Sequence, residues 1–241
     1  MIRPIVITCA ARKGGVGKTT VAVGCAALLA HAGNKTLILD LDPQSNVAFA
    51  LGVNPSAPGT AELLLGLQCD PLPAAPNLSV LPGGPSLVDY AIAGLDPEEL
   101  ADVVMQLDYD IIIIDCPPGS DHLERLGLVA AHIALVILDA HPFAIGGAYR
   151  VIDFITQRRL KERRAPALCA LVQSRIDLRR ALDRELELTL KSNHPDYPIH
   201  CVRQDVALST ATSDRRPIKP DSTSRGIQDL EKLTQWIHEQ R

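Results

Sequence analysis

Aromatic residues are scarce in this chain: 3 Phe, 4 Tyr and 1 Trp make up only 3% of its 241 residues. Because 46% of the residues are nevertheless hydrophobic, we expect a core of Ala, Val, Leu and Ile, as in parallel sheets buried on both faces. The chain also lacks an apolar run of about 18 residues, the length that a membrane-spanning helix needs. Its first residues read as a strand and not as a signal peptide. We therefore expect no stable membrane insertion.

Cysteine pairs and metal-ligand spacings are absent as well. None of the six cysteines stands in a C-x-x-C pair, so the pattern predicts reduced, buried thiols and no iron–sulfur or zinc site. The seven histidines show no ligand spacing either.

No repeat or long linker divides the chain, and its length suits one α/β domain. We expect residues 1–241 to form a single domain.

Positive charge is scarce in the first part of the chain. Residues 1–149 carry 6 Lys/Arg and 15 Asp/Glu, whereas residues 150–241 carry 18 Lys/Arg and 13 Asp/Glu. The formal net charge of −4 therefore hides a C-terminal part with an excess of positive charge. This asymmetry predicts a basic face that meets a polyanion, and scattered solvated charges are the alternative that composition leaves open.

Short apolar runs alternate with helical patterns along the chain. Strands are predicted at 5–9, 36–41, 78–81, 110–114, 133–138 and 167–172, helices at 20–31, 60–67, 96–107, 145–161, 205–213 and 224–239, and loops at 54–59 and 70–77. Alternation with short connections predicts an α/β fold, with a mostly parallel twisted sheet covered by helices on both faces.

A glycine-rich segment joins the first strand to the first helix. It reads Lys13-Gly14-Gly15-Val16-Gly17-Lys18-Thr19-Thr20 and matches the P-loop pattern G-x-x-x-x-G-K-[ST], except that Arg12 stands at the first glycine position. Glycines let backbone N–H groups turn towards phosphate oxygens, and the helix N-terminus adds its positive dipole end. We expect Lys18 to reach the β- and γ-phosphates and Thr19 to bind Mg²⁺. The segment therefore predicts a nucleotide site.

Three carboxylates follow or end predicted strands. Asp40 and Asp42 end the second strand, and Asp115 follows the four isoleucines of a later strand. Ligands of open α/β sheets bind at the carboxyl ends of the strands. We therefore expect the three carboxylates to converge on one nucleotide.

With these motifs placed, the chain resembles the ParA/MinD family of deviant Walker A P-loop ATPases nearly end to end. The motifs that carry the resemblance are Lys13 to Thr20, Asp40-Leu-Asp42-Pro-Gln44-Ser-Asn46, Tyr109-Asp110 to Pro118, and Ser224-Arg225-Gly226. The chain is most similar to the ParA (Soj-like) partition ATPases, and its N-terminus is too short for the helix-turn-helix domain of larger members. The resemblance implies a single-domain P-loop NTPase that slowly hydrolyses ATP to ADP and phosphate.

The resemblance also implies roles for the site residues, with ATP and Mg²⁺ as cofactors. Lys13 would cross an ATP-sandwich homodimer and contact the partner's phosphates, as an arginine finger does. Lys18 would hold the β- and γ-phosphates and Asp42 would position or activate the attacking water. Asp40 and Asp115 would support the metal that Thr19 binds.

Partners are implied in the same way. Relatives of this type bind double-stranded DNA without sequence preference as ATP-bound dimers, and a ParB-like or other adaptor stimulates hydrolysis to segregate or position a plasmid, a chromosome or another cargo. Arg203 and Arg225 fall where ParA proteins carry DNA-contacting arginines, and Arg215, Arg216 and Lys219 lie between them. We accordingly expect a cytoplasmic, nucleoid-associated protein.

Three alternatives remain open. A MinD-like membrane-associated spatial regulator needs a basic amphipathic C-terminal helix, but the tail at 233–241 has little positive charge, and core packing explains its apolar stripe better. An iron–sulfur reductase needs cysteines at the dimer seam, and Cys116 lies too close to Asp115. An ATP-dependent amidoligase needs a substrate pocket that the sequence does not identify.

The stretch at 137–139, which lies near the nucleotide base in relatives, departs from the family pattern.

Overall fold

The computed structural model describes residues 3–240. Its strands are β1 (Ile5–Ala10), β2 (Thr36–Asp40), β3 (Leu72–Ala75), β4 (Leu78–Leu81), β5 (Ile111–Asp115), β6 (Ile133–Leu138), β7 (Leu168–Ile176) and β8 (Ile199–Arg203). In the part of the chain described, they form one eight-stranded sheet in the order β3-β4-β2-β5-β1-β6-β7-β8. Every neighbouring pair is parallel except β3 and β4. The expected mostly parallel sheet is confirmed, and the single-domain organisation stays a prediction.

Helices cover both faces of the sheet. They are α1 (Lys18–His31), α2 (Asn46–Ala50), α3 (Thr60–Leu64), α4 (Tyr90–Ala93), α5 (Glu99–Val104), α6 (Asp121–Ala130), α7 (Pro142–Leu160), α8 (Ala181–Asn193), α9 (Val206–Ser213) and α10 (Arg225–Glu239). Helices α1 and α10 pack together on one face, and α5 and α6 pack together on the other. This two-sided cover confirms the α/β layers that the alternating pattern predicts.

The four isoleucines of β5 show how one strand serves two cores. Ile111 and Ile113 belong to the core that contains the apolar side chains of α1 and α10. Ile112 and Ile114 belong to the core beneath α5 and α6. Successive side chains of a strand point to opposite faces, so a strand covered on both sides needs apolar residues at every position.

The topology brings the ends of three central strands side by side. Strands β2, β5 and β1 are neighbours in that order, and Asp40 and Cys9 are both register partners of Asp115. Parallel strands all end at the same edge, which we call the carboxyl edge. The glycine-rich loop after β1 therefore lies beside the acidic ends of β2 and β5.

Several elements differ from the sequence prediction. The predicted loop at 70–77 is wrong in part, because β3 pairs with β4 across a register shift next to Pro73. This strand lies at the sheet edge, where a proline removes no ladder hydrogen bond that the sheet needs. The sequence pattern also predicts no element at the positions of α2, α4, α6, α8 or β8. Strand β8 has only a half-buried, mixed pattern, so it lacks the continuous apolar run that marks central strands.

The last helix is packed into the core. Ile227, Leu230, Leu233 and Ile237 are at most 5% exposed, and Leu230 approaches α1 at Gly24, where a Cβ atom would lie 2.6 Å from Leu230 Cδ1. The apolar stripe of the tail at 233–241, which a membrane-associated regulator would use, therefore contacts protein. Arg241, the last residue of this tail, lies outside the described residues. Between residues 3 and 240, no helix has the length and apolar character of a membrane span.

Candidate nucleotide-binding site

The loop between β1 and α1 has the backbone of a phosphate cradle. Gly15 and Gly17 have positive φ angles of 77° and 88°, which glycine adopts without steric cost. Val16, only 1% exposed, anchors the loop in the core. A Cβ atom on Gly17 would lie 2.6 Å from Ser174 Oγ, so this position accepts only glycine. The helix begins at Lys18, and its first N–H groups are therefore free to bind an anion.

Asp115 holds the two side chains expected to bind phosphate and metal. Lys18 Nζ donates to Asp115 Oδ1 at 2.7 Å, and Thr19 Oγ1 donates to Asp115 Oδ2 at 2.6 Å. Burial acts to lower the pKa of Lys18, but attraction and hydrogen bonding by Asp115 outweigh it, so the pKa is raised and the lysine stays cationic. A hydroxyl and a carboxylate side by side are the hard oxygen donors that Mg²⁺ prefers. These residues fit a magnesium-bound phosphate chain.

Asp40 is buried and already satisfied by the backbone. Its Oδ1 accepts from Asp42 N at 2.8 Å and its Oδ2 accepts from Val47 N at 3.1 Å. Burial raises the pKa of this carboxyl, and the nearby Asp115 raises it further. In this structure Asp40 therefore fastens the end of β2 to α2, and its expected support of the metal stays a prediction.

Asp42 lies at the carboxyl edge and borders a cavity that the glycine-rich loop also lines. Its Oδ1 accepts from Gln44 N at 2.9 Å, and its main-chain oxygen accepts from Ser45 N at 3.0 Å. The same main-chain oxygen packs so closely on Gly83 that a Cβ atom there would collide with it. Ser45 and Gly83 therefore position Asp42, and the sequence pattern does not predict this role because both residues act through the backbone.

Lys13 points to a carboxylate of its own chain. Its Nζ lies 2.9 Å from Asp139 Oδ2, and both side chains are about one quarter exposed. Asp139 follows β6 in the stretch that departs from the family pattern. The expected contact of Lys13 with the phosphates of a second copy stays a prediction, and it requires this ion pair to open.

Arg12, at the position of the first P-loop glycine, ties the loop to α6. Its guanidinium lies 2.7 Å from Asp121 Oδ1 and 2.9 Å from Glu124 Oε1. Glu124 is buried, and burial raises its pKa despite the opposing effect of Arg12. The local sequence pattern does not predict this pair, because nothing in it shows that α6 faces the loop.

Replacing Glu124 with Gln is expected to make the unfolding free energy less dependent on pH in the acidic range. The folded state raises the Glu124 pKa above its ordinary 4.5, so it binds this proton more tightly than the unfolded chain does. The Glu124 contribution to stability therefore falls as pH rises through the unfolded pKa towards the folded one. Relative to the native chain, the unfolding free energy of E124Q should rise between about pH 4 and about pH 7, by ~1.4 kcal/mol for each tenfold by which folding tightens proton binding at Glu124.

Urea unfolding at the two pH values measures this difference. Asp121→Asn is the matched control, because Asp121 contacts the same arginine but is well exposed. If the unfolding free energies of E124Q and the native chain differ by the same amount at both pH values, burial does not raise the pKa of Glu124.

A cavity of about 1220 Å³ connects the loop to the basic C-terminal part. Lys18, Thr19 and Asp42 border it, and so do Arg203, Arg216 and Arg225. Residues at the ends of β7 and β8 border it as well. Residues of the nucleotide loop and three of the predicted basic residues therefore share one surface depression.

The five predicted DNA-binding residues have different surroundings. Arg203 forms a two-pronged ion pair with the buried Asp229, with its Nε and Nη2 at 2.7 and 2.6 Å from the carboxylate oxygens. Arg215 lies over the ring of Phe49 on α2, 4.4 Å from its centroid, and Arg216 pairs with Asp214. The remaining two residues, Lys219 and Arg225, are exposed, and no ion pair within residues 3–240 involves either side chain.

A strand, a glycine-rich loop and a helix, with Lys18 and Thr19 gathered on Asp115 at the centre of a parallel sheet, define a P-loop nucleoside triphosphatase. A family model described as "AAA domain" matches residues 5–170. The chromosome-partitioning ATPase Soj of Treponema pallidum (strain Nichols) is 30% identical over 240 residues, covering 94% of each chain. The chain therefore belongs to the ParA/MinD family of P-loop ATPases, as its Soj-like motifs predict.

Solved structures share the fold. An ATP complex of a McdA variant from Cyanothece has a TM-score of 0.80 at 22% identity, covering 99% of this chain and 96% of that one. The septum site-determining protein MinD of Pyrococcus horikoshii OT3, complexed with Mg-ADP, has a TM-score of 0.79 at 24% identity, covering 97% and 96%. The sequence predicts ATP and Mg²⁺ as cofactors, and these two neighbours contain ATP and Mg-ADP, respectively.

Proposed function

We propose that this ATPase forms an ATP-dependent homodimer, binds double-stranded DNA without sequence preference, and uses adaptor-stimulated ATP hydrolysis to segregate or position DNA or another cargo. The observation that carries the proposal is the single cavity whose border runs from Lys18 and Asp42 to Arg216 and Arg225. An ATPase site and a basic surface that share one depression can respond to each other. The Soj relative, named as a chromosome-partitioning ATPase, supports this assignment.

The residues of the site account for hydrolysis. Lys18 holds the phosphate chain through a charge-assisted contact. Thr19 and Asp115 would hold Mg²⁺, which would supply positive charge against the phosphate oxygens. Asp42, at the edge of the cavity, orients the attacking water, and Ser45 and Gly83 keep its backbone in place. The products are ADP and phosphate.

Apolar side chains at the carboxyl edge support self-association. Val88 and Tyr90, which follow β4, are 70% and 93% exposed, and Phe143, which follows β6, is 79% exposed. The strands that they follow end at the edge that carries the nucleotide loop and Lys13. A second copy that covered them would also bring its own Lys13 to the nucleotide site, provided that Lys13 leaves Asp139.

The basic residues support DNA binding to different degrees. Lys219 and Arg225 are exposed, and Arg216 shares its charge with the exposed Asp214, so these three are suited to phosphate contacts. The Arg203 guanidinium is already bound by Asp229, and we propose that it chiefly fixes α10. Such a surface would place the protein on the nucleoid, where an adaptor of the ParB type reaches the dimer.

Removing the two unpaired cations tests the proposed DNA surface. The double variant Lys219→Ala/Arg225→Ala should bind DNA more weakly and lower the slope of log affinity against log salt by about 2, because each lost phosphate contact removes about 1. Binding to duplexes of unrelated sequence, measured by fluorescence anisotropy with ATP, gives both quantities. Basal ATPase activity should be unchanged.

The matched control is Lys161→Ala/Arg163→Ala. This pair is exposed and removes the same charge, but it lies in the connection between α7 and β7, at the opposite edge of the sheet. Equal losses in the two double variants would mean that net charge and not this surface governs binding. An unchanged affinity of the first variant would place the DNA surface elsewhere.

A further inference from the structure

Arg175 occupies an unusual place at the end of β7. The pairing of β7 with β8 shifts register between Ser174 and Ile176, and Arg175 is the extra residue of this bulge, with a φ of 60°. A left-handed conformation is uncommon for a residue other than glycine, and bulges serve to re-aim side chains next to active sites. The ordinary strand alternation therefore does not set the direction of this arginine.

The bulge directs Arg175 onto the phosphate loop. Its Nη1 donates to the main-chain oxygen of Gly15 at 2.5 Å. Its Cγ and Cδ lie 3.4 and 3.6 Å from the position that a Cβ atom on Gly17 would occupy. The side chain thus covers the turn of the loop, and Arg175 also borders the nucleotide cavity. None of the ion pairs formed among residues 3–240 involves its guanidinium.

This contact bears on the loop's ability to bind phosphate. Gly14, Gly15 and Gly17 give the loop many backbone conformations, and selecting one of them on nucleotide binding costs entropy. Because a peptide unit is planar and trans, fixing the Gly15 carbonyl also fixes the direction of the Val16 N–H. A donor that holds this carbonyl therefore orders part of the loop before nucleotide binds. This preorganisation lowers the entropy cost of binding and raises nucleotide affinity.

We propose that Arg175 is a positioning residue of the ATPase that clamps the phosphate loop through the Gly15 carbonyl and so strengthens the binding of ATP and ADP alike. The role rests on nucleotide binding and not on the proposed DNA binding, so loss of the DNA interaction leaves it unaffected. The clamp acts before the chemical step. It therefore changes nucleotide affinity and KM while leaving kcat nearly unchanged.

The sharpest variant is Arg175→Gly, because glycine retains the left-handed backbone of the bulge while removing the clamp. It should weaken binding of ATP and of ADP by about tenfold each, the effect of one lost charged hydrogen bond, with kcat at saturating ATP within about twofold. The Tm of the nucleotide-free protein should not fall. Arg175→Lys should recover part of the affinity, because an ammonium group also donates to a carbonyl. Isothermal titration with Mg²⁺ present and thermal unfolding without nucleotide give these quantities.

Arg179→Ala is the matched control, since Arg179 borders the same cavity, is 90% exposed and pairs only with Asp177 among carboxylates of the described chain. It should bind nucleotide as the native chain does. Native affinity in Arg175→Gly would overturn the proposal. So would an equal loss in Arg179→Ala, which would indicate long-range attraction by positive charge, or a loss in Arg175→Gly accompanied by a lower Tm, which would indicate damage to the sheet.

Discussion

Replacing Lys18 with Ala is expected to weaken ATP binding by at least about 100-fold, which corresponds to ~3 kcal/mol. The lysine begins α1 inside the glycine-rich loop and is cationic in its buried setting, so its loss removes the strongest single attraction for the phosphate chain. Isothermal titration with ATP and Mg²⁺ measures the effect. Unchanged affinity would mean that this loop does not hold the nucleotide.

The same replacement leaves the buried Asp115 without its ion-pair partner, which costs about 3–5 kcal/mol of stability. A second variant separates binding from folding. Lys18→Met/Asp115→Asn removes both buried charges at nearly constant volume, so it should remain folded and still fail to bind ATP. If this folded double variant bound ATP as tightly as the native chain, the assignment of Lys18 would be contradicted.

Replacing Asp42 with Ala is expected to lower ATP hydrolysis by about 10²–10⁴-fold, the usual contribution of a positioned acid–base group, while ATP binding changes little. If ATP binding drives dimer formation, this variant should accumulate as an ATP-bound dimer, because the step that ends the bound state is slow. Phosphate release measures the rate, and light scattering with ATP measures the mass.

The Asp42 side chain also accepts a hydrogen bond from Gln44 N, so Asp42→Ala loosens its turn as well as removing a charge. Asp42→Asn preserves that acceptor and the side-chain volume, and it should be nearly as inactive. An active Asp42→Asn variant would show that Asp42 shapes the turn and does not act on water.

The fold and the phosphate loop could be predicted because both are encoded locally. Four consecutive isoleucines from Ile111 to Ile114 indicate a strand buried on both faces. The spacing of Gly17, Lys18 and Thr19 after an apolar run indicates a strand, a turn and a helix that binds phosphate. The edge strands β3 and β8 could not be recognised in this way, because half-burial removes the continuous apolar run.

The contacts that surround the loop depend on long-range packing, which the sequence does not display. Arg12 reaches Glu124 on α6, Lys13 reaches Asp139 after β6, and Arg175 reaches the loop from β7. Each pair is separated by more than 100 residues in the sequence. Residue type identified them as cations, but only the fold shows which carboxylate or carbonyl each one meets.

The basic segment illustrates the same limit for charge. The count of Lys and Arg predicted a basic C-terminal part, yet it could not distinguish a neutralised arginine from a free one. The structure places Arg203 on Asp229 and Arg215 on Phe49, and leaves Lys219 and Arg225 exposed. Phosphate contacts are expected chiefly from side chains whose charge is still available.

The most direct test of the account is binding to double-stranded DNA of arbitrary sequence with ATP, with ADP and without nucleotide, each at a low and a physiological salt concentration. We expect tight DNA binding only with ATP, and this binding should weaken strongly with salt because counterion release drives it. DNA binding that does not depend on nucleotide would contradict the coupling of the nucleotide loop to the basic residues that border the same cavity. No binding in any state would contradict the proposed DNA function and leave a P-loop ATPase whose partner is of another kind.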